Sequence, residues 1–188
     1  MKKISSALVI VMVLAFAMPA QAQLKFGVKG GVNLAKASFD KGDYKADNFT
    51  GFFIGPMAEV TLPIVGLGVD GALLFSQRGA KVENETLKQN GLEIPVNLKY
   101  NIGLGSLAGI YFAAGPSFFF NLSDDELEVE KKKAQVGINL GAGVKLINHL
   151  QLGFNYSFPL TKGAEWNVDN VKYSYKNKVW QVSLAYIF

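Results

Sequence analysis

Apolar and polar residues alternate with period two along most of the chain, in eight segments at roughly 24–34, 50–62, 67–79, 88–100, 108–121, 133–146, 149–160 and 176–188. In the first, Leu24, Phe26, Val28, Val32 and Leu34 share one face, against Lys25, Gly27, Lys29, Gly31 and Asn33 on the other. The sixth repeats the pattern, with Ala134, Val136, Ile138, Leu140, Ala142, Val144 and Leu146 opposing Gln135, Gly137, Asn139, Gly141, Gly143 and Lys145. A two-residue repeat places successive side chains on opposite faces of a strand, so each segment presents one face to an apolar medium. Each is about as long as the 9 to 11 residues that a tilted strand needs to cross an outer membrane.

The connections alternate in length. Short links fall near Pro63–Gly66, Asn101–Leu107 and Ile147–Asn148; long polar ones fall at Ala35–Phe49, Ala80–Leu87, Leu122–Lys132 and Thr161–Tyr175. Short periplasmic turns and long outer loops are the habit of outer-membrane barrels, which predicts that both chain ends are periplasmic. The pattern predicts an all-β fold: an eight-stranded antiparallel up-and-down transmembrane β-barrel in the bacterial outer membrane.

The first 22 residues read differently. Lys2 and Lys3 precede an apolar run from Ile4 to Met18, and Pro19-Ala20-Gln21-Ala22 ends in a small-x-small cleavage pattern. That run is shorter than the roughly 20 residues of a spanning helix, so residues 1–22 are expected to be a cleaved signal peptide and 23–188 the single barrel domain. Loss of the two lysines lowers the net charge from +4 to +2, which is no footprint for nucleic acid. With no cysteine, neither disulfides nor thiolate metal sites are available to hold an exported domain together. No other apolar run approaches helix-spanning length, and a membrane protein without spanning helices has a closed barrel as its one backbone solution, because lipid does not tolerate unpaired amides.

Alternation alone leaves open which face looks outward, and a soluble carrier with an apolar cavity is the structural rival. Three features favour lipid outside. The polar face is rich in glycine (Gly27, Gly31, Gly55, Gly68, Gly115, Gly137, Gly141, Gly143), which suits a narrow interior crowded by long side chains. Apolar-face aromatics collect at strand ends, with Phe26, Tyr100, Tyr186 and Phe188 at one rim and Phe52, Phe75, Phe118, Phe120 and Phe158 at the other, as in interfacial girdles. The chain stops on Trp180, Val182, Leu184, Tyr186 and Phe188 at alternate positions, and Trp180, Tyr186 and Phe188 look like a terminal signal for the barrel assembly machinery.

The pieces Phe26-Gly27-Val28-Lys29-Gly30-Gly31-Val32-Asn33-Leu34, Leu92-Glu93-Ile94-Pro95-Val96-Asn97-Leu98-Lys99-Tyr100, Ala113-Ala114-Gly115-Pro116 and Gly137-Ile138-Asn139-Leu140-Gly141-Ala142-Gly143-Val144 fall in order in the first, fourth, fifth and sixth segments. The chain thereby resembles the outer-membrane β-barrel domain family of Bacteroidetes that includes the PorT-like proteins. The resemblance implies an outer-membrane location and a barrel fold, and no single shared activity; some PorT-like members are linked to type IX protein secretion.

On the inward face lie Lys25, Lys29, Glu59, Asp70, Arg78, Glu93, Lys99 and Lys145, interspersed with amides. Side chains fill so small a lumen, and buried ions need partners, so a charge network of Lys29, Glu59, Asp70, Arg78, Glu93, Lys99 and Lys145 is expected there. The sharper alternatives are Asp70 and Glu93 as a general acid and base, or a proton or ion path. No nucleophile or adjacent histidine supports them. The only histidine, His149, falls at a short periplasmic turn, away from any Ser-His arrangement. The run Asp124-Asp125-Glu126-Leu127-Glu128-Val129-Glu130 before Lys131-Lys132-Lys133 lacks the glycine-spaced ligand pattern of an EF-hand and reads as a solvated tip. Pro95 removes a ladder donor from a closed sheet and is expected at a bulge.

No catalytic residue, metal or cofactor is therefore expected. The partners expected are outer-membrane lipid, the assembly machinery, and a protein or glycan at the outer loops, for which Trp166, Tyr173 and Tyr175 of the last loop are the first candidates. The leading reading is a non-enzymatic scaffold or surface-interaction protein. Its competitors are a secretion accessory, as the PorT-like resemblance allows, and a narrow pore.

Overall fold

In a computed structural model the chain is described over residues 23–39, 46–47, 49–62, 66–82, 85–104, 107–123, 130–131, 133–147, 149–161, 164–168 and 171–188. The expected leader at 1–22 and the acidic run at 124–129 lie outside the described residues. Eight long strands form one wall: β1 Gln23–Phe39, β2 Phe49–Thr61, β3 in two segments Leu67–Ala72 and Leu74–Val82, β4 Glu85–Gly103, β5 Ala108–Asn121, β6 Ala134–Leu146, β7 Leu150–Pro159 and β8 Val171–Ile187. Each pairs antiparallel with its neighbour in the chain, and β1 pairs with β8, so the sheet closes into an eight-stranded barrel.

The stagger of that closure can be read from the register. Stepping from Leu24 to successive partners leads through Val60, Val69, Leu98, Ala114, Leu140, Tyr156 and Trp180 and returns to β1 at Leu34, ten residues further along. With eight strands, a shear of ten and ordinary strand spacings, the strands tilt by about 40° and the backbone radius is about 8 Å. So narrow a cylinder has an interior that side chains fill.

Burial alternates along every strand, and the outward positions are the apolar ones. Leu24 is 57% exposed, Phe26 59%, Leu98 61% and Phe154 51%, whereas the inward Glu59, Glu93 and Lys99 are at most 1% exposed. A soluble carrier would invert this arrangement. The outward Phe/Leu/Val face is the lipid face, and the lumen is polar. Aromatic contacts mark both rims of the apolar band. Tyr156 and Trp180 lie 4.3 Å apart and Phe154 stacks on Trp180 at 5.0 Å, while near the chain end Tyr186 meets Phe188 at 5.7 Å.

Glycine on the inner face makes room for large rings opposite it. A Cβ on Gly153 or Gly143 would stand 2.5 Å from the Tyr111 hydroxyl, and one on Gly31 would stand 2.7 Å from the Phe53 ring. Gly91 is placed in the same way against Phe119.

Four expectations require correction. Part of Ala35–Phe49 is ladder and not loop, since Ala35–Phe39 pairs with Tyr175–Val179. The stretch Ala80–Leu87 is not a long loop, because β3 and β4 stay paired as far as Val82 and Glu85. Much of Thr161–Tyr175 is ladder as well, since Ala164–Val168 pairs with Val171–Tyr175. Pro95 sits at no bulge: Pro95 opposes Ser117 and Leu98 opposes Ala114, so the register is the same on both sides. The missing donor is absorbed without an inserted residue. β3 is interrupted at Leu73, yet Leu73 N–H still donates to the Pro56 carbonyl at 3.0 Å.

Candidate functional site

The lumen gathers the charged side chains of β2, β3, β4 and β6 into two clusters. In the first, Lys99 Nζ lies 2.6 Å from Glu59 Oε2 and 3.2 Å from Asp70 Oδ2, and Lys145 Nζ lies 2.8 Å from Glu59 Oε1. Gln151 completes a triangle: its Nε2 donates to Glu59 at 2.8 Å while its Oε1 accepts from Lys99 at 2.8 Å. Asn97 Nδ2 donates to Asp70 at 2.7 Å, and Lys99 Nζ lies 4.2 Å from the centre of the Tyr111 ring. One ammonium thus has a carboxylate from each of two strands, an amide from a third and an aromatic face from a fourth. Each hydrogen bond to an ion in this buried setting is stronger than its neutral counterpart.

The second cluster is built around Glu93, whose Oε1 lies 2.6 Å from an Arg78 guanidinium nitrogen. Ser117 Oγ donates to Glu93 at 3.2 Å, and Gln181 Nε2 donates to its two oxygens at 3.3 and 3.2 Å. Gln181 also reaches Asn33 Oδ1 at 3.0 Å, and Asn33 Nδ2 donates to Ser76 at 2.9 Å. The guanidinium lies 4.6 Å over the Phe119 ring, within cation–π range. Among the described residues Arg78 Nε has no hydrogen-bond partner, and Arg78, Ser117, Phe119, Gln135 and Ser157 line a small adjoining cavity.

Asp70 and Glu93 therefore belong to different clusters and share no hydrogen-bond partner, so the acid–base pair considered from the sequence does not assemble. Lys29 is half-buried on β1, within electrostatic reach of Asp70 and Glu93, and makes no salt bridge to a described residue. Phe53, Tyr111 and Phe119 escaped the sequence reading because each sits inside an aromatic or apolar run. Their signal was available in the parity of the strand, which places them opposite the facing glycines.

Outside the lumen, His149 is exposed at its turn, its Nδ1 2.6 Å from the Ile147 carbonyl oxygen and its ring 6.1 Å from that of Tyr186. Among the described residues there is no group of three or more His, Cys, Asp or Glu side chains that could hold a metal ion. Trp180, Tyr186 and Phe188 face outward on β8 and at the chain end, 42%, 52% and 69% exposed. Trp166 and Tyr173 are register partners in the outer ribbon, and Tyr175 stands opposite both Ala164 and Phe39.

The sequence matches the profile of the outer membrane protein beta-barrel domain over residues 7–188. The chain belongs to the outer membrane β-barrel domain family. Members of this family are bacterial outer-membrane proteins, in keeping with the lipid-facing apolar band. Among solved structures, the fold is similar to the outer membrane protein OprG from Pseudomonas aeruginosa, with 16% identity, 87% of this chain and 95% of that chain covered, and a TM-score of 0.52. Ail, the attachment invasion locus protein of Yersinia pestis, solved in complex with the heparin analogue sucrose octasulfate, also aligns. Its identity is 14%, with 88% and 99% of the two chains covered and a TM-score of 0.46. Among curated proteins no sequence match reaches significance.

Proposed function

We propose that this family member is a non-enzymatic, non-conducting outer-membrane scaffold that meets a protein or glycan through strand ribbons outside the membrane. The observation that carries the reading is the contrast between a lumen crossed by ion pairs and a wall that continues beyond the lipid band. From Trp180 to Val171, β8 runs nine further residues, roughly 20 Å above the outer aromatic rim. Ala164–Val168 pairs with that extension, Glu130–Lys131 pairs with Ala164–Glu165, and Ala46–Asp47 pairs with Lys81–Val82 at the end of β3. Chain spent on sheet outside lipid serves neither anchoring nor conduction. It offers a surface of paired strands, and positions 166, 173 and 175 fall in that ladder.

Two measurements test the proposal. Purified barrel in a planar bilayer should give no stepwise current; a current persisting after alanine replacement of Lys99 and Arg78 would establish a pore through a route other than these clusters. A photo-crosslinking residue at Trp166 or Tyr173 in native membranes should trap one dominant surface partner, and one at outward Leu152 in the lipid band should not. Equal trapping at all three positions, or loss of protein secretion on deletion of the gene, would replace the surface-scaffold reading with the secretion-accessory one.

A further inference from the structure

Beyond the first cluster, the lumen holds more positive charge than its remaining carboxylate can match. Lys99 and Lys145 offset Glu59 and Asp70, which leaves Glu93 with two cations in reach, Arg78 and Lys29. A buried charge without a counter-ion is unfavourable, so the excess calls for an anion.

Space for one lies beside Arg78. The ladder brings Ser117, Gly137 and Pro159 of β5, β6 and β7 together as successive register partners, and none of these short side chains reaches far across the lumen. The cavity that they help to leave is also lined by Gln135, Ser157 and Arg78. Arg78 is only 5% exposed, and among the described residues its Nε makes no hydrogen bond. A buried charged donor without an acceptor, at the wall of a cavity, marks a place for one. Exposed Lys133, two residues from Gln135 and just before β6, adds positive charge at the outer end of the same wall.

Size and charge then narrow the guest. The cavity has room for about one water-sized body, too little for phosphate or sulfate. Water would satisfy the Nε donor and leave the excess charge in place, whereas a halide answers both. We propose that this cavity binds one chloride ion, held by Arg78 Nε and the Ser157 hydroxyl. The ion gives Arg78 a second anionic partner besides Glu93 and offsets the charge that Lys29 brings.

The test uses the full barrel refolded in detergent micelles. Urea unfolding at matched ionic strength should show the folded-to-unfolded ratio rising about tenfold for each tenfold rise in chloride above its Kd, with no such rise in gluconate, which is too large to enter. Ser157→Val, which fills the cavity, and Arg78→Lys, which keeps a cation for Glu93 but has no Nε–H, should each abolish the chloride response. Crystals of the wild-type barrel grown in bromide should show one anomalous peak in contact with Arg78 Nε, a measurement that stands even where a variant folds poorly. Water in the cavity with no anomalous peak would overturn the proposal. So would equal stabilisation by gluconate, or a chloride response that Ser157→Val leaves unchanged.

Discussion

The two clusters in the lumen are built differently. Around Glu59, two ammonium groups, two carboxylates and two amides from β2, β3, β4, β6 and β7 close on one another, and nearly every ionic contact has a second behind it. Around Glu93, among the described residues, a single ion pair is supported by neutral donors and an aromatic face, with one guanidinium nitrogen unpartnered beside a small cavity. The first is a cross-link among five strands. The second is a tether with slack. Burial is similar in both, so the difference lies in how many partners remain when one is removed.

That contrast orders the expected losses. Lys99→Met should be the most damaging lumen change, because it leaves Glu59 and Asp70 buried with fewer cations; a loss of about 3–5 kcal/mol is expected in urea unfolding of the refolded barrel. Arg78→Met should cost less, about 1–3 kcal/mol, since Glu93 keeps the Ser117 and Gln181 donors. Equal losses for the two would erase the distinction between cross-link and tether. Gly153→Ala should cost about 1–2 kcal/mol by crowding the Tyr111 hydroxyl and Ser183 Oγ. Part of that loss should return in the double variant with Tyr111→Phe, which a double-mutant cycle would read as coupling. Deleting residues 164–175 with a short glycine link should change barrel stability least, by about 0.5 kcal/mol or less, as expected for a segment outside both clusters. A large loss there would make the outer ribbon part of the barrel's own scaffold.

The strands were legible in the chain because lipid writes a two-residue code on their outer face: Leu24, Phe26 and Val28 on β1, or Val182, Leu184 and Tyr186 on β8. The same code stops at the membrane surface. Ala35–Phe39 and Ala80–Val82 remain in the ladder, but outside lipid an outward residue has no reason to be apolar, so hydrophobic periodicity read them as loops. The charges of the lumen were legible by parity, whereas their partners were not. Lys145 and Glu59 meet across 86 positions of sequence only because of the ten-residue stagger, and stagger leaves no mark in local pattern. The division of six charged residues into two clusters, with Lys29 a bonded member of neither, is a property of the closed ring.

That stagger has a bearing on how the barrel finishes itself. A closure of β1 on β8 slipped by two residues would keep every side chain on its proper face and every backbone amide paired, so neither lipid nor the ladder would reject it. It would, however, alter the radius by roughly 0.7 Å and slide one half of the lumen against the other. Contacts of 2.6–2.8 Å at Glu59 and Glu93 would not survive that movement. The polar interior therefore discriminates among closures that the hydrophobic exterior treats as equivalent, and a barrel with an all-apolar lumen would lack that proofreading.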